Sequence, residues 1–93
     1  MVISIEKKKF YAILTKFPKI EGEFLKEYTE ESLRNGENNL RKTVVLKRMR
    51  ELWNVRLMIK IGESKMVQIY FKDKRIITNK FILQLAAESK YFG

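Results

Sequence analysis

The stretch from Leu40 to Lys72 constrains the fold of this chain more than any other part of it. Its first half reads LRKTVVLKRMRELWN, in which large apolar residues recur with the spacing of one helix face and cationic residues fill the remainder. Its second half holds two runs that alternate apolar and polar residues, VRLMIKI and MVQIYFK, joined by the polar turn GESK. The pattern therefore predicts a helix over about residues 39–54, followed at once by a β-hairpin over about residues 55–72.

The predicted helix has a core side and a cationic side. At about 100° of rotation per residue its apolar residues gather on one face, which we expect to be buried. They are Val45, Leu46, Met49, Leu52 and Trp53. Lysine and arginine dominate the opposite side, so this helix is expected to dock on a core and to present positive charge outward.

Three more helices are predicted around this segment. The first covers about residues 5–17 and ends at the chain's single proline, while a strand over residues 10–17 is the competing interpretation. The second covers about residues 22–34 and ends at the pair Asn35-Gly36, since glycine tolerates the left-handed conformation that terminates helices. The last begins near Thr78. The predicted order of elements is α-α-α-β-β-α.

The net charge is the second strong feature of the sequence. Twenty Lys and Arg stand against eleven Asp and Glu in 93 residues, which gives +9. A chain of this length is expected to form a single domain over residues 1–93. An excess of positive charge favours an anionic partner, such as nucleic acid, an acidic protein or an anionic membrane surface.

The composition also argues against several classes of protein. The chain has no cysteine and no histidine, so thiol chemistry, disulfides and the commonest catalytic base and metal ligand are absent. We expect no enzyme activity, no cofactor and no metal. The first residues lack the apolar core of a secretory signal, and the apolar runs are too short to span a bilayer. These features predict a cytoplasmic protein without a membrane partner.

The segment from Thr43 to Trp53, followed by residues 55–59, resembles the recognition helix and first wing strand of the winged helix-turn-helix DNA-binding superfamily. The resemblance implies an α+β fold with a three-helix core, a two-stranded β-hairpin wing and a C-terminal helix. It also implies that the helix over residues 39–54 enters the major groove while the hairpin contacts the backbone beside it.

Within this resemblance the candidate nucleic-acid-binding residues lie on the helix and on the hairpin. Those of the helix are Arg41, Thr43, Lys47, Arg48 and Arg50, and those of the hairpin are Lys60, Lys65 and Lys72. Arginine suits bidentate contacts with guanine, and lysine suits phosphates. The alternative is that the helix residues form a solvated surface and that the hairpin lysines discourage strands from pairing edge to edge.

Tyr70 suggests a different nucleic-acid partner. It is predicted on the polar face of the hairpin, between Gln68 and Lys72. An exposed aromatic ring beside cations on a sheet is typical of surfaces that stack the bases of RNA. Packing beneath the last helix is the alternative for this side chain.

Two further surfaces are candidates for protein contacts. The second predicted helix carries an acidic face, which is expected to pair with lysines or to bind a protein partner; its residues are Glu23, Glu27, Glu30 and Glu31. Pairs of these glutamates four residues apart have the spacing of metal ligands, but an acidic outer face is the simpler interpretation. The last helix and the residues after it are expected to form a homodimer interface through Phe81, Leu85, Tyr91 and Phe92.

Taken together, these features predict a small basic protein that binds double-stranded DNA as a transcriptional regulator. Two other functions remain open from the sequence. One is an interaction or inhibitor protein, of the kind that viruses and plasmids encode, which binds another macromolecule. The other is an RNA-binding protein.

Overall fold

The chain forms an antiparallel sheet with helices on one of its faces. The computed structural model describes residues 1–35, 41–49 and 52–93. In chain order the elements are β1 (Val2–Glu6), α1 (Lys7–Leu14), α2 (Pro18–Asn35), β2 (Lys42–Met49), β3 (Leu52–Ile61), β4 (Met66–Phe71), a 3-10 helix (Lys74–Thr78), α3 (Lys80–Glu88) and β5 (Tyr91–Phe92). The described strands form one five-stranded sheet in the order β2-β3-β4-β1-β5.

The first strand lies inside the sheet rather than at its edge. β1 pairs with β4 along its whole length, from Val2 opposite Tyr70 to Glu6 opposite Met66. On its other side it pairs with β5, where Ser4 lies opposite Tyr91. The backbone N–H of Phe71 donates a hydrogen bond to the carbonyl of Met1 at 3.0 Å. The two ends of the chain are therefore joined through the sheet.

One face of the sheet is buried because apolar residues alternate along its four long strands. On β1 the side chains of Ile3 and Ile5 are fully buried, and on β4 those of Val67 and Ile69 are fully buried too. All three α-helices bury apolar side chains in the same cluster, so they lie on this one face. The remaining strand residues of the cluster are Val44, Leu46, Leu57, Ile59, Ile61 and Phe71. This alternation is the period-2 signature of a half-covered antiparallel sheet.

Aromatic rings connect the helices to one another. The ring of Phe10 on α1 contacts Phe24 of α2 at a centroid distance of 5.5 Å and Phe81 of α3 at 6.5 Å, both edge to face. Tyr11 lies beside Phe24 at 6.2 Å. Burial among these groups raises the pKa of the Tyr11 hydroxyl. Edge-to-face pairs add to the energy of burial, so Phe10 is the centre of the helical layer.

Local residues set where the helices begin. α2 begins at Pro18, since proline is favoured in the first helical turn, where its missing N–H would have no partner. The side chain of Asn79 caps α3 by accepting hydrogen bonds from the backbone N–H groups of Phe81 at 2.9 Å and Ile82 at 3.4 Å. Asp73 accepts a hydrogen bond from the backbone N–H of Arg75 at 3.0 Å. Hydrogen bonds from Arg75 also lower the pKa of the Asp73 carboxyl.

The prediction of a helix over residues 39–54 is wrong. Residues 42–49 form β2 and residues 52–61 form β3, which pair as an antiparallel hairpin; residues 39, 40, 50 and 51 lie outside the described residues. The run Val44-Val45-Leu46 fits the periodicity of a helix and also that of a strand. Three consecutive apolar residues can form part of the apolar face of a helix, or they can lie in a strand that has one apolar residue on its outer face. β-branched side chains favour the strand, and β3 provides the partner that makes it stable.

The predicted fold is therefore wrong in architecture, although it is of the α+β class. The wing of the expected winged helix is instead a pair of inner strands, and the three-helix core is replaced by a helical layer on a sheet. The first predicted helix over residues 5–17 is only partly correct, because β1 occupies its beginning and α1 ends at Leu14. The predicted hairpin of β3 and β4, the second helix and the last helix are confirmed in type.

We expect two adjacent apolar truncations in β2 to have unequal effects. Leu46→Ala removes a fully buried side chain and should lower the free energy of unfolding by roughly 2–5 kcal/mol. Val45→Ala changes a half-buried side chain on the opposite face and should cost about 1 kcal/mol or less. Urea denaturation of both variants measures the difference. Equal losses would contradict the strand, because in a helix both side chains would face the core.

Gly22→Ala should stabilise the protein. Gly22 lies inside α2, and a Cβ added there would meet nothing within 4 Å. Alanine loses less backbone entropy than glycine in a helix, so the free energy of unfolding should rise by about 0.5–1 kcal/mol. Thermal unfolding followed by circular dichroism should show a higher Tm. A lower Tm would show that the space beside Gly22 is occupied in solution.

Candidate nucleic-acid interface

The sheet face opposite the helices carries side chains that are half-buried or exposed. We call this surface the open face; it is formed by Val2, Ser4, Thr43, Val45, Met58, Lys60, Gln68, Tyr70 and Tyr91. The members alternate with the buried core residues along each strand. The open face is thus fixed by the same register that builds the core.

Side chains on the open face form two neighbouring rows that cross the strands. The first row is apolar with one aromatic ring, and consists of Val45, Met58, Tyr70 and Val2. The second row is polar with an aromatic ring at its end, and consists of Thr43, Lys60, Gln68, Ser4 and Tyr91. Directly opposed side chains in such rows lie about 5 Å apart. The open face therefore offers a flat apolar strip with polar groups beside it.

Tyr70 occupies the middle of the open face. The Nζ of Lys60, on the neighbouring strand, lies 4.8 Å from the centroid of the Tyr70 ring, which is a cation–π contact. The hydroxyl of Tyr70 donates a hydrogen bond to the Oε1 of Gln68 at 2.8 Å. These two neighbours hold the ring in place and set a cation directly beside its face.

Tyr91 provides a second aromatic ring on the same face. It is 61% exposed and lies opposite Ser4. Backbone bonds hold β5 in position: the N–H of Lys90 donates to the carbonyl of Ser4 at 2.8 Å, and the N–H of Gly93 donates to that of Val2 at 3.0 Å. A Cβ at Gly93 would collide with the Tyr91 hydroxyl, so the absent side chain leaves room for this ring.

The two tyrosines are separated by β1. Two strand spacings and two residues along the strand place the backbones of Tyr70 and Tyr91 roughly 12 Å apart. Both rings belong to the same surface, and Ser4 and Val2 lie between them. Two planar groups at this separation can each contact a different unit of one extended polymer.

Cations surround the open face. Exposed Lys47 and Arg56 lie within β2 and β3, and exposed Lys72 directly follows β4. Among the described strands the only acidic residue is Glu6, whose Oε1 lies 3.3 Å from the Nζ of Lys90. Positive charge on the sheet is therefore not balanced by carboxylates on the same strands.

The acidic residues concentrate on α2 instead. Of the expected acidic face, Glu30 is exposed, while Glu23, Glu27 and Glu31 are half-buried. An Oε1 of Glu23 accepts a hydrogen bond from the backbone N–H of Lys47 at 3.3 Å, and Glu31 pairs with Arg34 at 3.1 Å. Part of this acidic face thus holds the helix in place, and its use by a protein partner stays a prediction.

The predicted nucleic-acid-binding residues fall into three groups. Thr43 and Lys60 lie on the open face, as members of its polar row. Arg41, Lys65 and Lys72 are exposed just beyond strand ends, and Lys47 is exposed within β2. Arg48 lies within β2, where only its backbone is described, and Arg50 lies outside the described residues. The structure thus brings two of them together and places four others around them.

The predicted dimer residues separate into buried and exposed pairs. Phe81 and Leu85 are fully buried in the helical layer, so the folded chain does not present them to a partner. Tyr91 and Phe92 are exposed, at 61% and 36%. The ring of Phe92 also contacts Phe71 at 6.4 Å. A homodimer stays a prediction, but α3 does not supply its interface through Phe81 and Leu85.

The sequence pattern does not identify three members of the open face as parts of one site. It assigns Val45 to a helix core, Tyr91 to a dimer interface and Met58 to a wing. The available signal was the β-branched run of residues 43–45, which favours a strand beside the hairpin. Their common surface depends on pairing between strands far apart in sequence, which local periodicity does not reveal.

Other kinds of site find little support in the described ranges. No group of three or more Asp and Glu side chains in residues 1–35, 41–49 and 52–93 lies close enough to hold a metal ion. No helix in that part of the chain is long and apolar enough to cross a membrane. A shallow groove between α1 and α3 is lined by Lys9, Lys16 and Glu88 among others. Lys9 and Glu88 approach to 3.7 Å across it.

Comparison with protein-family models, with curated proteins and with solved structures finds no match. The open face, with Tyr70 and Tyr91 in a cationic setting, is therefore the feature of this molecule from which a function is argued.

Proposed function

We propose that this protein binds single-stranded nucleic acid on the open face of its sheet. The observation that carries the proposal is the Tyr70 ring on an uncovered sheet surface, with the ammonium group of Lys60 at 4.8 Å. Bases stack on Tyr70 and on Tyr91, while Lys60 and Lys72 contact phosphates. Sheets that bind RNA combine these same two elements, aromatic platforms and positive charge.

Binding exchanges one contact of Tyr70 for a stronger one. The cation–π contact with Lys60 is worth about 0.5–1 kcal/mol at an exposed site. A base stacked on an aromatic side chain contributes about 1–3 kcal/mol. A base that displaces Lys60 therefore gains more than it loses, and the released ammonium group remains near enough to reach a phosphate.

The shape of the open face favours a single strand over a duplex. Five strands spaced about 4.8 Å apart make a surface roughly 19 Å wide. The major groove of B-DNA is about 12 Å wide and admits a helix or a two-stranded ribbon, but not a whole sheet. In addition, the bases of a duplex are already stacked and cannot lie flat on tyrosine rings. Strands over residues 42–49 and 52–54 replace the recognition helix expected for duplex binding.

The distribution of charge supports an anionic ligand on this side of the molecule. The acidic residues of α2 pack behind the sheet, and the open face has Lys60 at its centre. Two copies of the protein would bring like charges together if they met through this face. A single-stranded nucleic acid neutralises the same charges, and its bases can pack on the apolar row of the open face.

Tyr70→Ala should weaken binding of single strands. Loss of one stacked base should raise the Kd by about 5- to 150-fold, whereas Tyr70→Phe should bind nearly as well as the parent, because it keeps the ring. The measurement is fluorescence anisotropy with labelled 12-mers of uridine, thymidine and 2′-deoxyuridine. Leu83→Ala is a matched control, because it truncates a side chain that is 48% exposed on α3.

Three outcomes of that experiment are informative. Equal binding by the parent and by Tyr70→Ala would contradict the stacking role. A 12-bp duplex that binds as tightly as the single strand would also contradict it, because paired bases cannot stack on the ring. A preference for uridine over both thymidine and 2′-deoxyuridine oligomers would indicate recognition of the RNA 2′-hydroxyl.

Lys60→Ala should reduce the salt dependence of binding. For single strands the slope of log Kobs against log salt concentration is about −0.7 for each phosphate neutralised. Loss of one contact should therefore make the slope shallower by about 0.7. Lys16→Ala removes an exposed lysine from the helical side and should leave the slope unchanged. If both variants change the slope alike, the protein attracts the ligand only through its net charge.

Protein binding through α2 is the second candidate. Its outer surface exposes Leu25 and Leu33, at 51% and 80%, and Gly22 leaves open space beside them. A helix from a second copy of the chain fits such a surface, since glycine permits close approach. Light scattering should then give twice the monomer mass of 11.2 kDa, and Leu33→Glu should restore the monomer. A monomeric mass for the parent at all concentrations would eliminate this candidate.

A further inference from the structure

The hairpin of β2 and β3 extends beyond the rest of the sheet. β4 pairs with β3 only from Leu57 to Lys60. β2 and β3 continue to pair beyond this region, as far as Met49 opposite Leu52. Residues 47–49 and 52–56 therefore form a two-stranded extension, which we call the arm. Five residues of β3 correspond to roughly 16 Å of strand.

A bulge and a helix contact define the base of the arm. Between the pairs Leu46–Leu57 and Arg48–Trp53 the register shifts, so that Lys47 alone lies opposite residues 54–56. Such irregularities bend the strand and increase its twist. At this point the backbone N–H of Lys47 donates a hydrogen bond to the Oε1 of Glu23 at 3.3 Å. The contact anchors the free edge of β2 to α2 where the arm begins.

The arm is cationic along the segments described. Lys47 and Arg56 are exposed at its base, and Arg48 follows on β2. Residues 47–49 and 52–56 contain no Asp or Glu. Since β3 is continuous from the arm into the open face, these cations prolong the positive surface around Lys60. A strand of nucleic acid lying along β3 would leave the open face at the arm.

We infer that the arm is a second contact for single-stranded nucleic acid, which binds the phosphates of the segment that runs beyond the open face. This inference rests on the proposed function, but it concerns different residues. Tyr70 and Tyr91 stack with the bases of a short oligonucleotide, while Lys47 and Arg56 at the base of the arm bind the phosphates of a longer oligonucleotide. Glu23 is a positioning residue, because it holds the arm through the Lys47 backbone and does not contact the ligand.

The test compares oligonucleotides of two lengths with the parent protein and a double variant. Thymidine oligomers of about 4 and 16 nucleotides span the range of site sizes known for single-strand-binding folds. Lys47→Ala with Arg56→Ala should bind the 4-mer like the parent. Its affinity for the 16-mer should fall by about 25-fold in 0.1 M salt, and its salt slope should become shallower by about 1.4, as expected for two lost phosphate contacts.

A matched control separates the arm from net charge. Lys8→Ala with Lys19→Ala removes the same charge from exposed positions in the helical layer, and it should bind both oligomers like the parent. Circular dichroism melts of both double variants should agree with that of the parent. If the control loses affinity for the 16-mer as strongly as the arm variant does, the inference is wrong.

Glu23→Ala tests the position of the arm independently. It removes a negative charge, so electrostatics alone would tighten the binding of every oligomer. It also removes the acceptor for the Lys47 N–H, and we expect a misplaced arm to weaken binding of the 16-mer, while the 4-mer binds at least as tightly as to the parent. Tighter binding of both lengths would overturn the positioning role.

The remaining outcomes distinguish this inference from the proposed function. If the parent binds the 4-mer through Tyr70 but the arm variant matches it at both lengths, the arm makes no contact and only the inference fails. If the arm variant loses binding to a duplex and not to the 16-mer, the arm contacts a duplex instead and the inference fails. If the parent binds neither oligomer, both fail.

Discussion

Pairing between β1 and β4 is the interaction on which the rest of the molecule depends. It brings Ile3 opposite Ile69 and Ile5 opposite Val67, and all four side chains are fully buried beneath the helices. Without it the sheet would divide into a β2-β3-β4 unit and a β1-β5 pair. The same ladder sends Ser4 and Tyr70 to the opposite surface. A single register therefore determines both the core and the surface on which we place function.

Charge is distributed unequally between α2 and the sheet. α2 carries five of the eleven Asp and Glu of the chain and three Lys and Arg, while the described strands carry five Lys and Arg with Glu6 as the one acidic exception. The layers meet through an apolar cluster, so this distribution costs little in desolvation. The unequal distribution of charge orients the molecule, so that its sheet faces an anion as the two approach each other. Orientation of this kind raises the rate of productive encounter more than the final affinity.

The sequence predicts part of this fold well, and the reason is visible in particular residues. β3 and β4 follow a regular alternation across the turn at residues 62–65, and the last helix has a clean apolar face, so both were predicted. β2 was missed because Val44-Val45-Leu46 is compatible with two periods, and only the partner strand decides between them. Lys60 and Tyr70 were recognised as candidates, yet their relation to Tyr91 depends on a strand pairing that spans most of the chain.

The position of β1 also imposes an order on folding. Its partners, β4 and β5, are separated from it by more than half of the sequence, so closure of a long loop must precede the pairing that completes the sheet. Local elements such as the β3–β4 hairpin and the helices can form earlier, because their contacts are near in sequence. Until β1 is inserted, β4 presents an unpaired edge with alternating large apolar residues. The inner place of the first strand thus makes assembly of the finished sheet a late event, during which the chain is most exposed to pairing with other copies of itself.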